Sequence, residues 1–172
     1  MLTMPDYIFD TTALSNFSAA NRLDLLEKRY YDKAFITLEV ADELRKGVKA
    51  GYSYLSPVLK QISGVNPEGW IQIVTPNAGN EYSLRFQFDK RLDPGEASCI
   101  SLAITRKFIF VSDDLAARRI ASKNDIPITG TIGILIALVR NNRLPLGEAN
   151  RLLQNMIQKN YRSPVNHLDE LI

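Results

Sequence analysis

Short apolar runs and longer stretches with helical periodicity alternate along this chain. Tyr7–Phe9 holds three uncharged residues in succession, two aromatic and one β-branched, which is typical of a strand buried inside a parallel sheet. Strands that alternate with helices predict βαβ units, and therefore an α/β fold whose mainly parallel sheet is covered by helices on both faces. Similar short runs predict further strands at residues 34–36, 70–74, 108–111 and 126–128.

Helices are predicted in the intervals between these runs, where apolar residues recur at spacings of three and four. Residues 16–18 are expected to break the chain before the first helix, and Gly47 is expected to end the second. Residues 52–62 could form one helix, and a spacing closer to two than to 3.6 leaves residues 82–90 open between helix and strand. The predicted helices are residues 20–30, 38–46, 94–104, 115–123, 132–140 and 146–159.

The length of the chain predicts one domain over residues 1–172, because a chain of this size buries roughly two thirds of the surface that its unfolded form exposes. Residues 51–69 contain three glycines and two prolines and give no regular pattern. We therefore expect an insertion or flap at about 51–92. The amphipathic stretch after Pro145 predicts a C-terminal helical extension at about 144–172.

The composition narrows the classes of protein to consider. Hydrophobic residues make up 45% and charged residues 23%, which is ordinary for a globular protein. The longest apolar run, residues 132–139, is far shorter than the roughly 18 residues of a membrane span, so no membrane partner is expected. The N-terminus has no signal-peptide pattern and Cys99 is the only cysteine, so a cytoplasmic, reducing location is expected. The net charge of +2 does not by itself indicate nucleic-acid binding.

Acidic residues follow two of the predicted strands directly. Asp10 comes after the first strand, and Asp113 and Asp114 come after residues 108–111. Because parallel strands point the same way, these carboxylates are expected at one edge of the sheet, where ligands bind in such folds. The alternative is structural, since an Asp before a helix caps its N-terminus. Both roles stay open, although a doublet supplies one more carboxylate than a cap requires.

Two acids on predicted helices can reach the same edge. Glu43 lies early in the helix after residues 34–36, and Glu96 lies three residues after Asp93 at the start of another helix. Each has a structural alternative: a solvated helix face for Glu43, and a capping box with Asp93 for Glu96. Carboxylates that converge raise one another's pKa unless a divalent cation lies among them. Mg²⁺ or Mn²⁺ suits a set of ligands that are all oxygen.

The residues that several other kinds of active site require are missing from the sequence. His167 is the only histidine, so a histidine-based zinc site and a Ser-His-Asp triad are excluded. Neither a GxxxxGK[ST] nor a GxGxxG phosphate-binding loop occurs. A phosphatase of the haloacid-dehalogenase type requires a second Asp where this chain has Thr12. The remaining chemistry is metal-assisted hydrolysis of a phosphodiester, which predicts a nuclease.

Several phrases of the sequence, taken in order, resemble the PIN domain family. They are IFDTTALSNF, VADELRKG, LDPGEASCISLA, VSDDLAARRIA and TGTIGILI. The likeness spans most of residues 7–143 and is nearest to the prokaryotic branch related to the toxin ribonucleases of toxin–antitoxin pairs. It implies a three-layer α/β/α sandwich, with an acidic pocket that binds Mg²⁺ or Mn²⁺ for endonucleolytic cleavage of RNA.

The resemblance also implies roles for individual residues. Thr11 and Ser112 match the hydroxyl positions that steady the acids through hydrogen bonds. The toxin members more often have Asp where this chain has Glu96, and the extra methylene of Glu96 is expected to shift the second metal position. The implied catalytic acids are Asp10, Glu43, Glu96 and Asp114. The implied metal ligands are Asp10, Glu96, Asp113 and Asp114, with the choice within the doublet left open.

RNA is the partner that the resemblance implies. Arg118 and Arg119 lie near the fourth acid and are predicted to contact RNA phosphates, the alternative being that they are solvated helix charges. Toxin relatives generally dimerise and are silenced by an antitoxin, so an antitoxin protein and a second copy of the chain are further expected partners. The alternative from another class is a catalytically inactive PIN-like binding module that acts through a protein or RNA partner.

Overall fold

A five-stranded parallel sheet forms the centre of the molecule. The computed structural model describes residues 4–77 and 79–172. The strands are β1 (Tyr7–Phe9), β2 (Ala34–Ile36), β3 (Ile71–Ile73), β4 (Ile109–Val111) and β5 (Ile128–Thr129). Their order across the sheet is β3-β2-β1-β4-β5, and every neighbouring pair is parallel. The sheet and its helices form an α/β/α sandwich, which confirms the predicted fold class.

The described residues form nine α-helices and two short 3₁₀ turns, Ser53–Leu55 and Asp169–Leu171. The helices are α1 (Thr11–Ala19), α2 (Leu23–Tyr30), α3 (Leu38–Lys49), α4 (Ser56–Leu59), α5 (Gly79–Phe88), α6 (Pro94–Arg106), α7 (Leu115–Lys123), α8 (Thr131–Arg140) and α9 (Leu146–Gln158). The helices predicted in the second half of the chain are confirmed, with ends that differ by two residues or fewer. Within the described residues, every helix is too short or too polar to cross a membrane.

The central strand β1 and its neighbour β4 lie deep in the core. Ile8 and Phe9 of β1 and Phe110 and Val111 of β4 are fully buried, as expected for strands with helices on both faces. Cys99 of α6 is also buried, and its Sγ donates to the Phe9 carbonyl at 3.4 Å. The chain positions that directly follow β1 and β4 are therefore held by a rigid part of the molecule.

The break predicted at residues 16–18 is wrong. α1 begins directly after Asp10 and continues through these residues as regular helix. Asn16 and Ser18 do not interrupt it because tertiary partners satisfy their side chains. Asn16 Nδ2 donates to Asp113, and Ser18 Oγ donates to the Tyr54 carbonyl.

The predicted end of the second helix is also wrong. α3 continues past Gly47 and stops after Lys49. The Leu55 side chain occupies the space that a Cβ on Gly47 would need, so this glycine serves close packing and not helix termination. Residues 52–62, for which the sequence permits one helix, form the first 3₁₀ turn and the short helix α4.

Residues 82–90, whose type the spacing left open, lie mostly in α5. Tyr82 and Phe86 are exposed, so the apolar residues of this helix do not form one buried stripe. Ionic contacts hold α5 instead. Glu81 is buried and accepts hydrogen bonds from Arg106 of α6, and Arg85 pairs with Glu39 of α3. Polar anchoring explains why a hydrophobic pattern could not identify the helix.

Two predicted segments contribute to the main fold. The predicted insertion at 51–92 contains β3, which pairs with β2 at the edge of the sheet. The predicted extension at 144–172 contains α9, in which Ala149 and Leu153 are fully buried. The designations of insertion and extension stay predictions.

Candidate active site

The carboxyl ends of β1 and β4 lie side by side. Phe9 pairs with Val111 in the parallel register, and the Asp10 N–H donates to the Val111 carbonyl at 3.1 Å. Asp10 and the doublet of Asp113 and Asp114 therefore lie at one edge of the sheet, as expected from the direction of the strands.

Asp10 has one carboxylate oxygen that is bonded and one that has no partner. The residue is only 2% exposed. Its Oδ1 accepts the Thr12 N–H at 2.8 Å and the Thr12 hydroxyl at 2.6 Å, and so caps α1. Its Oδ2 is buried and has no hydrogen-bond partner among the described residues. The capping and ligand roles that the sequence left open are therefore compatible, because capping uses only Oδ1.

The surroundings of Asp10 favour a proton or a cation on its carboxyl group. Burial raises the pKa of Asp10 from 3.8 to about 7. The Ser112 and Thr12 hydroxyls and the Thr12 N–H lower this pKa, and the charge of Asp113 raises it slightly. The Ser112 hydroxyl lies nearby without completing a hydrogen bond to Oδ2. A buried polar atom without a partner costs about 1–3 kcal/mol, and more when it is charged.

Thr12 joins the two strand ends through its hydroxyl. Oγ1 donates to Asp10 Oδ1 and accepts the backbone N–H of Asp113 at 2.8 Å. Thr11, the residue that the resemblance associates with this task, lines the cleft beside the acids. Sequence reasoning missed Thr12, although a hydroxyl two residues after a capping Asp is well placed to contact it.

Asp113 has hydrogen-bond partners on both oxygens. Oδ1 accepts the Thr131 N–H at 2.9 Å, and Oδ2 accepts the Thr131 hydroxyl at 2.6 Å and Asn16 Nδ2 at 3.1 Å. The Tyr161 hydroxyl adds a long contact to Oδ1 at 3.4 Å. A Cβ on Gly130 would collide with this carboxylate, so only glycine permits the approach. Asp113 therefore ties β4 to the first turn of α8 and to α1.

Asp114 is bonded on one oxygen only. Oδ1 caps α7 by accepting the Ala117 N–H at 2.9 Å, and the backbone N–H of Asp114 donates to the Ser112 hydroxyl at 3.1 Å. Ser112 is buried, and its hydroxyl supports the doublet through this hydrogen bond. Asp114 is half-buried, and within the described residues its Oδ2 accepts no hydrogen bond.

The two helix acids, Glu43 and Glu96, both contact the backbone at the start of α6. Glu43 Oε1 accepts the Gly95 N–H at 3.1 Å, and a Cβ at Gly95 would collide with the Glu43 carboxylate. The predicted capping box is present: Asp93 Oδ1 accepts the Glu96 N–H at 2.8 Å, and Glu96 Oε2 accepts the Asp93 N–H at 3.3 Å. The structural alternative for Glu96 is therefore real, and its long second bond is a weak one.

These acids influence one another electrostatically. The pKa of Glu43 is raised from 4.5 to about 7, chiefly by burial, with the charges of Asp93 and Asp10 as further causes. Burial also raises the pKa of Glu96 from 4.5 to about 8, with the charges of Asp93, Asp114 and Asp10 as further causes. Glu43 and Glu96 therefore each lie within electrostatic range of Asp10, and Glu96 also lies within range of Asp114. Both also feel the charge of Asp93, which the sequence suggested only as a cap.

The donor set fits a hard divalent cation in its chemistry. The ligands are all carboxylate oxygens, three of the acids are partly exposed, and Asp10 Oδ2 has no partner. As the side chains stand, no group of three or more His, Cys, Asp or Glu residues within 4–77 and 79–172 has the geometry of a metal site. Glu43, Glu96 and Asp114 each accept a backbone N–H instead.

The two arginines predicted to contact RNA are placed differently. Arg118 is half-buried, and its guanidinium donates to the Ser112 carbonyl at 2.7 Å and the Thr129 carbonyl at 3.1 Å. It therefore covers the carboxyl ends of β4 and β5. Arg119 is exposed on α7. Neither arrangement tests a contact with RNA.

An open cleft of about 320 Å³ is lined by Asp113 and Asp114 but not by Asp10, Glu43 or Glu96. One wall comes from α1 and the doublet, and the other comes from the segment that follows α9. Sequence reasoning missed this second wall because it is distant in the chain and has no recognisable motif. The lining residues are Thr11, Thr12, Ser15, Asn16, Asp113, Asp114, Asn160, Tyr161 and Arg162.

Comparison with known proteins adds a family to this geometry. No curated protein and no solved structure matches the chain. A family model described as a PIN domain matches residues 6–172. This match covers the parallel sheet, all the acids described above and the segment after α9. The chain therefore belongs to the PIN domain family.

Proposed function

We propose that this protein is a metal-dependent endoribonuclease that cleaves RNA phosphodiester bonds at its carboxylate cluster. PIN domains are generally nucleases, which supports the hydrolytic part of the proposal. The observation that carries it is the unpartnered, buried Oδ2 of Asp10, placed among acids with raised pKa values. An uncompensated carboxylate in such a place is costly for stability, and binding of a cation offsets that cost.

The chain's residues divide the work as follows. Asp10 would present Oδ2, Glu96 and Asp114 would supply further metal ligands, and Glu43 would complete the catalytic acids. Of the doublet, Asp114 is the better ligand, because Asp113 already uses both oxygens in hydrogen bonds. Bound Mg²⁺ or Mn²⁺ would lower the pKa of a water molecule and stabilise the leaving oxygen of the phosphodiester.

Proton release accompanies loading of this site. Asp10 and Glu43 have pKa values of about 7, and Glu96 has a pKa of about 8. Asp10 and Glu96 must lose their protons to serve as ligands, so binding of the cation strengthens as the pH rises towards 8. The capping bond of Glu96 to the Asp93 N–H, at 3.3 Å, is long and therefore easily given up.

We further propose that the protein is the toxin of a toxin–antitoxin pair that acts in the cytoplasm. The phrases around Asp10 and Asp114, which resemble the toxin branch of the family, support this role. An antitoxin protein and a second copy of the chain are the partners that it implies.

The test is an RNA cleavage assay with purified protein in Mg²⁺, in Mn²⁺ and in excess EDTA. Asp10→Asn and Asp114→Asn are each expected to lower kcat by about 100-fold or more, because each removes a ligand charge. Asp125→Asn is the matched control, since Asp125 is exposed just beyond the far end of α7. Cleavage that survives EDTA, or that is unchanged in both site variants, would contradict the proposal.

A second candidate function is a PIN-like binding module without turnover. The hydrogen bonds that Glu43, Glu96 and Asp114 make to backbone N–H groups favour it, because they give these acids a structural use without a metal. RNA binding by the wild-type protein with no cleavage in either metal would support this candidate over the nuclease.

A further inference from the structure

We propose that Arg162 binds a phosphate group of the RNA and that the segment 160–162 forms the substrate-facing wall of the active-site cleft. This inference rests on the proposed function, and it identifies a positioning residue outside the acidic cluster. Four observations support it: the backbone geometry at the end of α9, the anchors that hold the segment, the surroundings of the Arg162 side chain, and the charge of the opposite wall.

The chain after α9 turns back towards the acids through a defined helix cap. Asn160 has φ of 73°, a left-handed conformation that Asn adopts more readily than most residues. The Tyr161 N–H donates to the Met156 carbonyl at 3.0 Å, and the Asn160 N–H donates to the Ile157 carbonyl at 3.0 Å. This pair of bonds is a Schellman motif, which fixes the direction in which the chain leaves the helix.

Two side chains fasten the segment to the rest of the site. Lys159 Nζ donates to the Ala19 carbonyl at the end of α1 at 2.5 Å. The Tyr161 side chain is largely buried, and its hydroxyl contacts Asp113 Oδ1 at 3.4 Å. Arg162 directly follows Tyr161. The contacts of Lys159 and Tyr161 therefore position Arg162 beside the doublet.

The Arg162 side chain is available to a ligand. It is exposed and lines the same cleft as Asp113 and Asp114. Within the described residues, no carboxylate or carbonyl oxygen accepts a hydrogen bond from its guanidinium, whereas Arg118 donates to two carbonyls. A planar guanidinium with its donors unused suits the bidentate recognition of a phosphate.

The rest of the cleft suits a polynucleotide that passes the acids. The α1 wall is neutral and polar, with the hydroxyls of Thr11 and Ser15 and the amide of Asn16. Carboxylates repel the phosphates on either side of the scissile bond, so a cation outside the acidic cluster is needed to hold the chain in place. Of the cleft-lining residues, Arg162 is the one that carries a positive charge.

The test compares Arg162→Ala, Arg162→Lys and the control Arg151→Ala, which removes the same charge from an exposed position on α9. Binding of a fluorescein-labelled single-stranded RNA is measured by anisotropy in EDTA, over a series of salt concentrations. Loss of one phosphate contact should weaken binding about fivefold to eightfold at 0.1 M salt, and should reduce the slope of log Kd against log salt by about 0.7–0.9. Arg162→Lys should recover most of the affinity and the slope, and Arg151→Ala should match the wild type.

Three results would overturn the inference. They are equal effects of Arg162→Ala and Arg151→Ala, a loss of affinity with an unchanged salt slope, and no RNA binding by the wild-type protein. Cleavage assays distinguish failure of the Arg162 contact from failure of the nuclease proposal. Wild-type protein that binds RNA through Arg162 but does not cleave it would contradict the nuclease alone. Cleavage with normal KM in Arg162→Ala would contradict the Arg162 contact alone.

Discussion

Asp10 and Glu81 are both buried acids, at 2% and 3% exposure, and their surroundings are opposite. Glu81 accepts the Arg106 guanidinium through both oxygens, together with the Thr105 hydroxyl and the Asn77 N–H. Its pKa is lowered to about 2, chiefly by Arg106. Asp10 receives donors on one oxygen only, and burial raises its pKa to about 7.

The contrast separates a structural acid from a candidate catalytic one. Burial is common to both residues, so burial alone does not indicate function. The difference lies in the partners: the charge of Glu81 is neutralised inside the chain, whereas the charge of Asp10 is opposed only by hydroxyl and N–H dipoles. An acid that the fold leaves uncompensated is a candidate for a ligand from outside the protein.

The largest expected effect falls on the compensated acid. Glu81→Gln should lower the free energy of unfolding by about 2–3 kcal/mol, because it leaves Arg106 without its charge partner and places an amide group against donors. The melting temperature should fall by roughly 5–10 °C in a thermal scan. Asp89→Asn, at an exposed acid just after α5, is the control and should change little. Equal melting temperatures of the two variants would contradict a structural role for Glu81.

Glu81→Gln should also change how the stability of the protein depends on pH in the acidic range. The folded-state pKa of Glu81 lies below its ordinary value of 4.5, so its contribution is present above about pH 5 and is lost as the pH falls towards 2. Wild-type protein should lose stability more steeply than Glu81→Gln across this window. Parallel profiles would contradict the assigned direction of the pKa shift.

The second prediction distinguishes a structural acid, Asp113, from a candidate ligand, Asp114. Asp113→Asn should lower the free energy of unfolding by about 1–2 kcal/mol, since an amide nitrogen must then face a donor from Thr131 or Asn16. Asp114→Asn should change stability by less than about 0.5 kcal/mol, because Asn caps α7 as well as Asp does. Thermal unfolding of both variants measures the difference. A larger loss of stability in Asp114→Asn would mean that the structural and ligand roles are exchanged.

The last effect has the opposite sign. The folded-state pKa of Asp10 lies above its ordinary value of 3.8, so its contribution to stability is full below about pH 4 and falls as the pH rises to about 7. Asp10→Asn removes this titration and keeps the cap. Without metal, the variant should therefore be more stable than the wild type at pH 8, and by a smaller margin at pH 5.

Thermal unfolding in EDTA at the two pH values measures this gain, with Asp125→Asn as the exposed control. Addition of Mn²⁺ should stabilise the wild type and reduce the advantage of Asp10→Asn. An equal or lower melting temperature of Asp10→Asn at pH 8 would contradict the raised pKa of Asp10.

Much of the fold follows from local patterns. The strands β1 and β4 are short apolar runs, and the helices α6 to α9 have recurring apolar positions, so hydrophobic spacing identifies them. Side-chain caps at Asp93 and Asp114 also mark the starts of α6 and α7. The pattern failed where distant residues decide the structure. α1 persists because Asp113 and Tyr54 satisfy its polar side chains, and α3 passes Gly47 because Leu55 fills the adjacent space.

The candidate site was predictable in its location but not in its detail. The direction of parallel strands is enough to place Asp10 and the doublet at one edge, and a capping box is visible in the spacing of Asp93 and Glu96. Asp113 is a structural acid because its carboxylate is bonded by Thr131, which lies 18 residues after it in the chain. The wall formed by residues 160–162 depends on a single left-handed backbone position, which no periodicity encodes.

The Thr12 hydroxyl has only one hydrogen, and that hydrogen is given to Asp10 while the oxygen receives the N–H of Asp113. The gap between the first acid and the doublet is thus spanned by two hydrogen bonds, of 2.6 Å and 2.8 Å, that meet at one oxygen atom. The spacing on which any ion or substrate at this edge would depend therefore rests in part on a single hydroxyl group.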